Sequence, residues 1–189
     1  MTIERRKRIL ERARELGAIM EGDFVLSSGE RSSFYFDGRL LTLDPEGADL
    51  VSQEMLREAV SSGATAIGGP TLGADPIVGA VVLAGQLAGS PVRGFLVRGE
   101  AKGHGTGRLI EGPLAPGDSV VVLDDSCSTG GSLFRAIAAA EAEGCRVVGV
   151  AVVLDRHQGG DEEIRRRGYP FTALLEASPE GTIEAVEPS

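Results

Sequence analysis

Apolar residues in this chain recur at two different spacings, and the switches between them mark out the elements. Ile3, Leu10, Ala13 and Leu16 fall near one helical face with Gly17 as a stop, so residues 3–16 predict an amphipathic helix. The stretch DFVLSSGERSSFYFDGRLL, 23–41, predicts two short strands around a Ser/Gly turn. In LDPEGADLVSQEMLREAV, 43–60, Asp44 suits an N-cap and Pro45 the first helical position. ATAIGG, 64–69, predicts a strand, ADPIVGAVVLAGQLAG, 74–89, a buried helix, and PVRGFLV, 91–97, another strand. The alternation resumes with a strand at 119–125, a helix at 130–144, a strand at 145–156, a short helix at 161–168 and a strand at 171–177.

Between 98 and 118 the pattern lapses. RGEAKGHGTGRLIEGPLAPGD has four glycines from Gly99 to Gly107 and no period, which predicts a long mobile loop. Loops of that length inside a domain are usually functional. The runs SVVVL and VVGVAVVL lack polar alternation, as strands buried on both faces do. Strands alternating with helices give an α/β fold, one domain over 1–189, with a mainly parallel sheet flanked by helices. In such sheets ligands bind beyond the carboxyl ends of the strands.

Composition narrows the setting. The 189 residues carry a formal charge of −9, which disfavours a nucleic-acid partner needing a basic face. It leaves room for an anionic ligand held by local charge. No apolar run is long enough for a membrane span, and no apolar segment follows the basic N-terminus. Two cysteines, Cys127 and Cys145, make no disulfide framework, so a reduced, cytoplasmic setting is expected.

The chemistry gathers in VVVLDDSCSTGGSL, 120–133. Glycines at a strand-to-helix turn let the backbone approach a ligand, and the helix start offers free N–H groups and partial positive charge. The hydroxyls of Ser126, Ser128, Thr129 and Ser132 add donors, completing a phosphate cradle. Asp124 and Asp125 would repel a phosphate; they suit vicinal sugar hydroxyls or a hydrated Mg²⁺. Together the two halves describe a ribose phosphate site. A Walker motif and a dinucleotide fingerprint are both missing from the chain. A plain capped turn would need only one of the two aspartates.

This segment resembles the phosphoribosyl diphosphate (PRPP) signature of type I phosphoribosyltransferases. FVLSSGERSSFYFDGRL, GGPTLGADPI, RGEAKGHGTGRLIEG and LDR at 154–156 narrow the resemblance to the orotate phosphoribosyltransferases, over about residues 20–160. The resemblance implies transfer of ribose 5-phosphate from PRPP to orotate in pyrimidine biosynthesis. A phosphoribosyltransferase for another base and a PRPP-sensing regulator are the alternatives. It implies that Asp124 and Asp125 hold the ribose, while Ser126, Cys127, Ser128, Thr129, Gly130, Gly131 and Ser132 contact PRPP. Arg98, Lys102 and His104, with Arg108, would meet the diphosphate from the loop at 98–112, Lys102 being the catalytic candidate. Backbone amides around Gly69 and Gly73 would assist. Ser128, Arg156, Phe34 and Tyr35 would hold orotate, the arginine fork suiting its carboxylate. A small N-terminal hood, 1–42, Mg²⁺ carried mainly by PRPP, no metal ligands from the protein, and a homodimer sharing its loops are implied as well. The chain departs from the usual pattern at Gly99 and Gly73, where cations are common, and at Ser27, Glu30, Ser33 and Cys127. Cys127, near a helix start, is a candidate for a lowered thiol pKa.

Overall fold

A seven-stranded sheet organises the chain. The computed structural model describes residues 2–25, 31–99, 109–178 and 181–188. The elements are α1 (Thr2–Glu15), β1 (Ile19–Val25), β2 (Arg31–Phe36), α2 (Gly38–Thr42), α3 (Pro45–Ser61), β3 (Ala66–Pro70) and α4 (Ala74–Leu87). They continue with β4 (Arg93–Val97), β5 (Ile110–Glu111), β6 (Ser119–Cys127), α5 (Gly131–Ala142), β7 (Arg146–Asp155), α6 (Gly160–Arg166), β8 (Phe171–Ala177) and β9 (Ile183–Ala185). The sheet order is β5-β4-β3-β6-β7-β8-β9; the inner strands are parallel and the two short outer ones antiparallel.

The unbroken apolar runs have the expected cause. Along β6, Val121 and Leu123 enter a core shared with Ile9, Met55 and Ile77 of α1, α3 and α4. Val120 and Val122 enter a second core with Leu133 and Ile137 of α5 and Ile164 of α6. Both faces of the strand are therefore covered, and no position can be polar until the strand leaves the core. α3 begins as its sequence predicts: the Asp44 carboxylate accepts from Gly47 N at 2.9 Å, and Pro45 follows.

Several details differ from the expectation. The N-terminal strands begin at Ile19, and Gly38–Thr42 is a helix rather than an extension of the second strand. Asp37 caps that helix, its side chain accepting from Arg39 N. β5 lies within the segment expected to be loop, pairing with β4. β9 lies beyond the last expected strand and pairs with β8 at the sheet edge. β6 continues past Asp125 to Cys127, held by β7 in the pairs Ser126–Leu154 and Cys127–Asp155. The span 1–42 expected to form a hood holds α1, the separate β1–β2 hairpin and α2. Within it α1 packs on α3 and β9.

That packing encloses a charge. Arg6 is 1% exposed, donates to Glu54 at 3.2 Å, and reaches the carbonyls of Ala173 and Val186 at 3.3 and 3.0 Å. Glu54, fully buried, is shared with Arg5 and Arg57.

Candidate active site

β3 lies between β4 and β6, so the chain leaves it in opposite directions on its two sides. This is the switch point at which open α/β sheets bind ligands. A cleft of about 420 Å³ lies there. Its walls are Tyr35–Arg39, Pro70–Gly73, Asp124–Ser126 and Ser128–Ser132. That volume suits a small-molecule site.

The floor is a carboxylate pair. Asp124 is 6% exposed; Asp125 N donates to its Oδ1 at 2.9 Å and Ser132 Oγ to its Oδ2 at 3.2 Å. Burial, and then the charge of Asp125, push the Asp124 carboxyl up to about 7. Burial also raises Asp125, whose Oδ1 accepts from Ser126 Oγ at 3.3 Å. Among the described residues neither carboxylate has an ion-pair partner. The surrounding backbone is fitted closely to them. A Cβ at Gly73 would lie 2.5 Å from Asp124 Oδ1 and 2.9 Å from Asp125 Oδ1, and one at Gly38 would lie 2.7 Å from Asp125 Cβ. A side chain at Gly73, lysine included, would therefore require these carboxylates to move.

Beyond the carboxylates the chain turns into α5. Gly130 adopts φ +79°, which favours glycine, and Gly160 presses on the turn from outside. Gly160 N donates to Ser128 O at 3.0 Å, and a Cβ there would lie 2.5 Å from that oxygen and 2.8 Å from Gly130 N. The first turn of α5 thus faces the cleft with N–H groups that have no intrahelical partner. Ser128 and Thr129 line the same wall. The Ser126 and Ser132 hydroxyls differ from the expectation, because they donate to Asp125 and Asp124.

The Cys127 expectation is corrected. β6 does not end before it, so its side chain points into the sheet–helix core at 1% exposure, away from the cleft. Burial pushes the thiol up to about 12, the opposite of a helix-start thiol.

β2 sets Phe34 and Tyr35 on opposite faces. Tyr35, 36% exposed, lines the cleft, whereas Phe34 is in the core beneath Arg156, whose guanidinium stacks 4.6 Å from its ring centre. Phe34 thus supports the arginine and does not line the cleft. Arg156 follows β7, and its N–H donates to Cys127 O at 2.9 Å, beside the cradle. Its turn is fixed by Asp155, which accepts from His157 N at 3.0 Å. Arg98 follows β4, lies 3.7 Å from Glu111, and does not line the cleft of its own chain. Lys102, His104 and Arg108 lie outside the described residues, as do Ser27 and Glu30.

For Mg²⁺ the donor set is suitable: two adjacent carboxylates without a cation partner among the described residues, and hydroxyl and carbonyl oxygens around them. The cleft lining also includes Asp37 and Arg39, which lie in the FVLSSGERSSFYFDGRL motif but take no role from it, and Gly160 backs the turn from outside the cleft. Arg39 resembles any polar residue after a strand, and Gly160 is one of twenty-seven glycines.

Comparison with known proteins adds to this geometry. The model of the phosphoribosyl transferase domain family matches residues 77–167. Orotate phosphoribosyltransferase of Aquifex aeolicus (strain VF5) is 41% identical over 180 residues, 94% of this chain and 98% of that protein. A crystal structure of Mycobacterium tuberculosis H37Rv orotate phosphoribosyltransferase with Fe(III) dicitrate matches with a TM-score of 0.81 at 36% identity, over 94% of this chain and 99% of the other. The same enzyme in complex with PRPP matches with a TM-score of 0.74 at 32% identity, over 92% of this chain and 89% of the other.

Proposed function

Because this chain belongs to the orotate phosphoribosyltransferase family, we propose that its cleft holds PRPP across the Asp124–Asp125 pair and the α5 cradle. The reaction is transfer of ribose 5-phosphate from PRPP to orotate, giving orotidine 5′-monophosphate and diphosphate in pyrimidine biosynthesis. The observation that carries the residue assignment is the adjacency of a buried carboxylate, Asp124, a half-buried one, Asp125, and a helix start in one wall of the cleft.

On this reading the ribose hydroxyls donate to Asp124 and Asp125, satisfying the carboxylate that is buried and the one that is half-buried. The 5′-phosphate accepts from N–H groups of residues 129–132 and from the Ser128 and Thr129 hydroxyls. Tyr35 flanks the orotate ring; Arg156, stacked on Phe34 and not among the residues that line the described cleft, is assigned to the orotate carboxylate for its planar fork. The C1–O bond of PRPP breaks with its electron pair passing to diphosphate. The ring nitrogen of orotate bonds to C1 and gives up its proton. The protein's part is alignment and stabilisation of the departing charge. Mg²⁺, brought by PRPP, would neutralise diphosphate oxygens, with Asp124 and Asp125 as the protein groups nearest in chemistry to it. Lys102, with Arg98 and His104, is assigned to the diphosphate as it departs, acting in a homodimer on the partner's cleft. The soluble cytoplasmic setting belongs to the same proposal. Among the described residues no helix is long and apolar enough to cross a membrane.

Diphosphate release in the presence of PRPP, Mg²⁺ and a panel of bases tests the assignment. Turnover with orotate is expected, and turnover with another base alone would overturn it. Lys102→Ala is expected to lower kcat far more than it raises the KM for PRPP, because charge on the leaving group grows in the transition state. Equal changes in both would remove Lys102 from that role.

A further inference from the structure

Every substrate of this cleft is an anion, yet its described lining holds three aspartates, Asp37, Asp124 and Asp125, and a single cationic side chain, Arg39. Arg39 is placed by its own backbone. Asp37 caps α2 by accepting from Arg39 N at 3.1 Å. The same carboxylate accepts from Arg39 Nε at 3.1 Å and from Nη2 at 3.3 Å. One edge of the guanidinium, Nε and Nη2, is thereby clamped, and Nη1 lies outside that pairing. The side chain remains 48% exposed, so a ligand can reach it. Asp37 raises the Arg39 pKa, with a smaller contribution from Asp125, so the charge is permanent.

The position along the cleft indicates which anion. Gly38, next to Arg39, presses on Asp125, and Gly73 presses on both Asp124 and Asp125. The start of α2 and the 70–73 turn therefore meet over the carboxylate pair. With the ribose on those carboxylates and the 5′-phosphate at α5, the C1 substituent is directed to the remaining walls. Tyr35 occupies the wall suited to a flat ring. The 70–73 turn and Arg39 are left for the diphosphate.

We propose that Arg39, held by Asp37, is a diphosphate-binding residue of this cleft, gripping the leaving group of PRPP from the α2 side. The proposal rests on the assignment of ribose to Asp124 and Asp125. It gives the cleft a cation of its own, separate from those of the 98–112 segment.

The test is calorimetric titration of the full chain with magnesium diphosphate and, separately, with orotidine 5′-monophosphate, alongside steady-state kinetics. Arg39→Gln is expected to weaken magnesium diphosphate and raise the KM for PRPP by roughly tenfold or more, the value of one charge-assisted bond. Affinity for orotidine 5′-monophosphate, which lacks the diphosphate but keeps the carboxylate and 5′-phosphate, is expected to change by less than about twofold. Arg39→Lys, which keeps charge without the fork, is expected to lie between. Circular dichroism and thermal melting verify that each variant folds. Unchanged diphosphate affinity, or equal loss for both ligands, would overturn the proposal; the latter would transfer Arg39 to the orotate carboxylate or to α2 stability. Asp124→Asn with Asp125→Asn separates the two levels. If that variant retains orotidine 5′-monophosphate at wild-type affinity, the ribose assignment itself fails. If it loses that ligand while Arg39→Gln leaves diphosphate untouched, only the role of Arg39 falls.

Discussion

Asp124 is held in tension between stability and binding. Its carboxyl sits at about 7 in the folded chain, against an ordinary value of 3.8. A raised acid favours the fold fully below its unfolded pKa, and that contribution is lost as pH rises towards 7. Replacing it with asparagine removes the loss. Asp124→Asn is therefore expected to be more stable than wild type at pH 8, by an amount on the order of 2–4 kcal/mol, and by much less at pH 5. The same variant should show no PRPP binding by calorimetry. A gain in melting temperature that is larger at pH 5 than at pH 8 would rule out burial of the charge as its cause. Cys127 shows the opposite kind of residue. Buried and pushed up to about 12, it is expected to resist iodoacetamide at pH 8 in the folded protein, as mass spectrometry can record. The aspartate pair is legible in the sequence because two charges ending an apolar run have few structural uses. Cys127 misleads because the helix begins four residues later, at Gly131. Arg39 is illegible because its meaning depends on what Asp37 and the distant 70–73 turn do around it.

At the scale of elements, the cleft depends on backbones that touch. Gly160, at the start of α6, supports the turn before α5 from behind. Gly160→Ala places a methyl group within 2.8 Å of three atoms of that turn, among them Cys127 Sγ at 2.6 Å. The variant is expected to lose about 1–3 kcal/mol of stability and to weaken PRPP more than orotate, readable from melts and from the two KM values. An unchanged KM for PRPP would show that the turn yields without consequence. The long helices and inner strands are legible because each extends through several periods of its pattern. β5, β9 and α2, at two, three and five residues, are shorter than any period can reveal. They are fixed by neighbours instead: β4, β8, and the carboxylate at Asp37.

For the whole molecule, the parallel sheet and its two cores follow from apolar runs alternating with helices, and the position of the cleft follows from the strand order. Strand order itself is a long-range property that no local spacing encodes. Nor does the sequence disclose that Arg6, one of several arginines on an amphipathic helix, is enclosed. Arg6→Met is expected to cost about 3 kcal/mol in chemical denaturation, since Glu54 keeps Arg5 and Arg57 but two carbonyls lose their donor. The guanidinium joins α1 to Ala173 of β8 and to Val186 just beyond β9. On the ribosome those strands emerge well after α1. Until then a nascent chain holds a charge that cannot yet be enclosed, and the first helix must wait beside an unfinished sheet. A chain stopped at residue 178 should therefore show fast hydrogen exchange in α1 while α5 stays protected, the order of assembly written into one side chain.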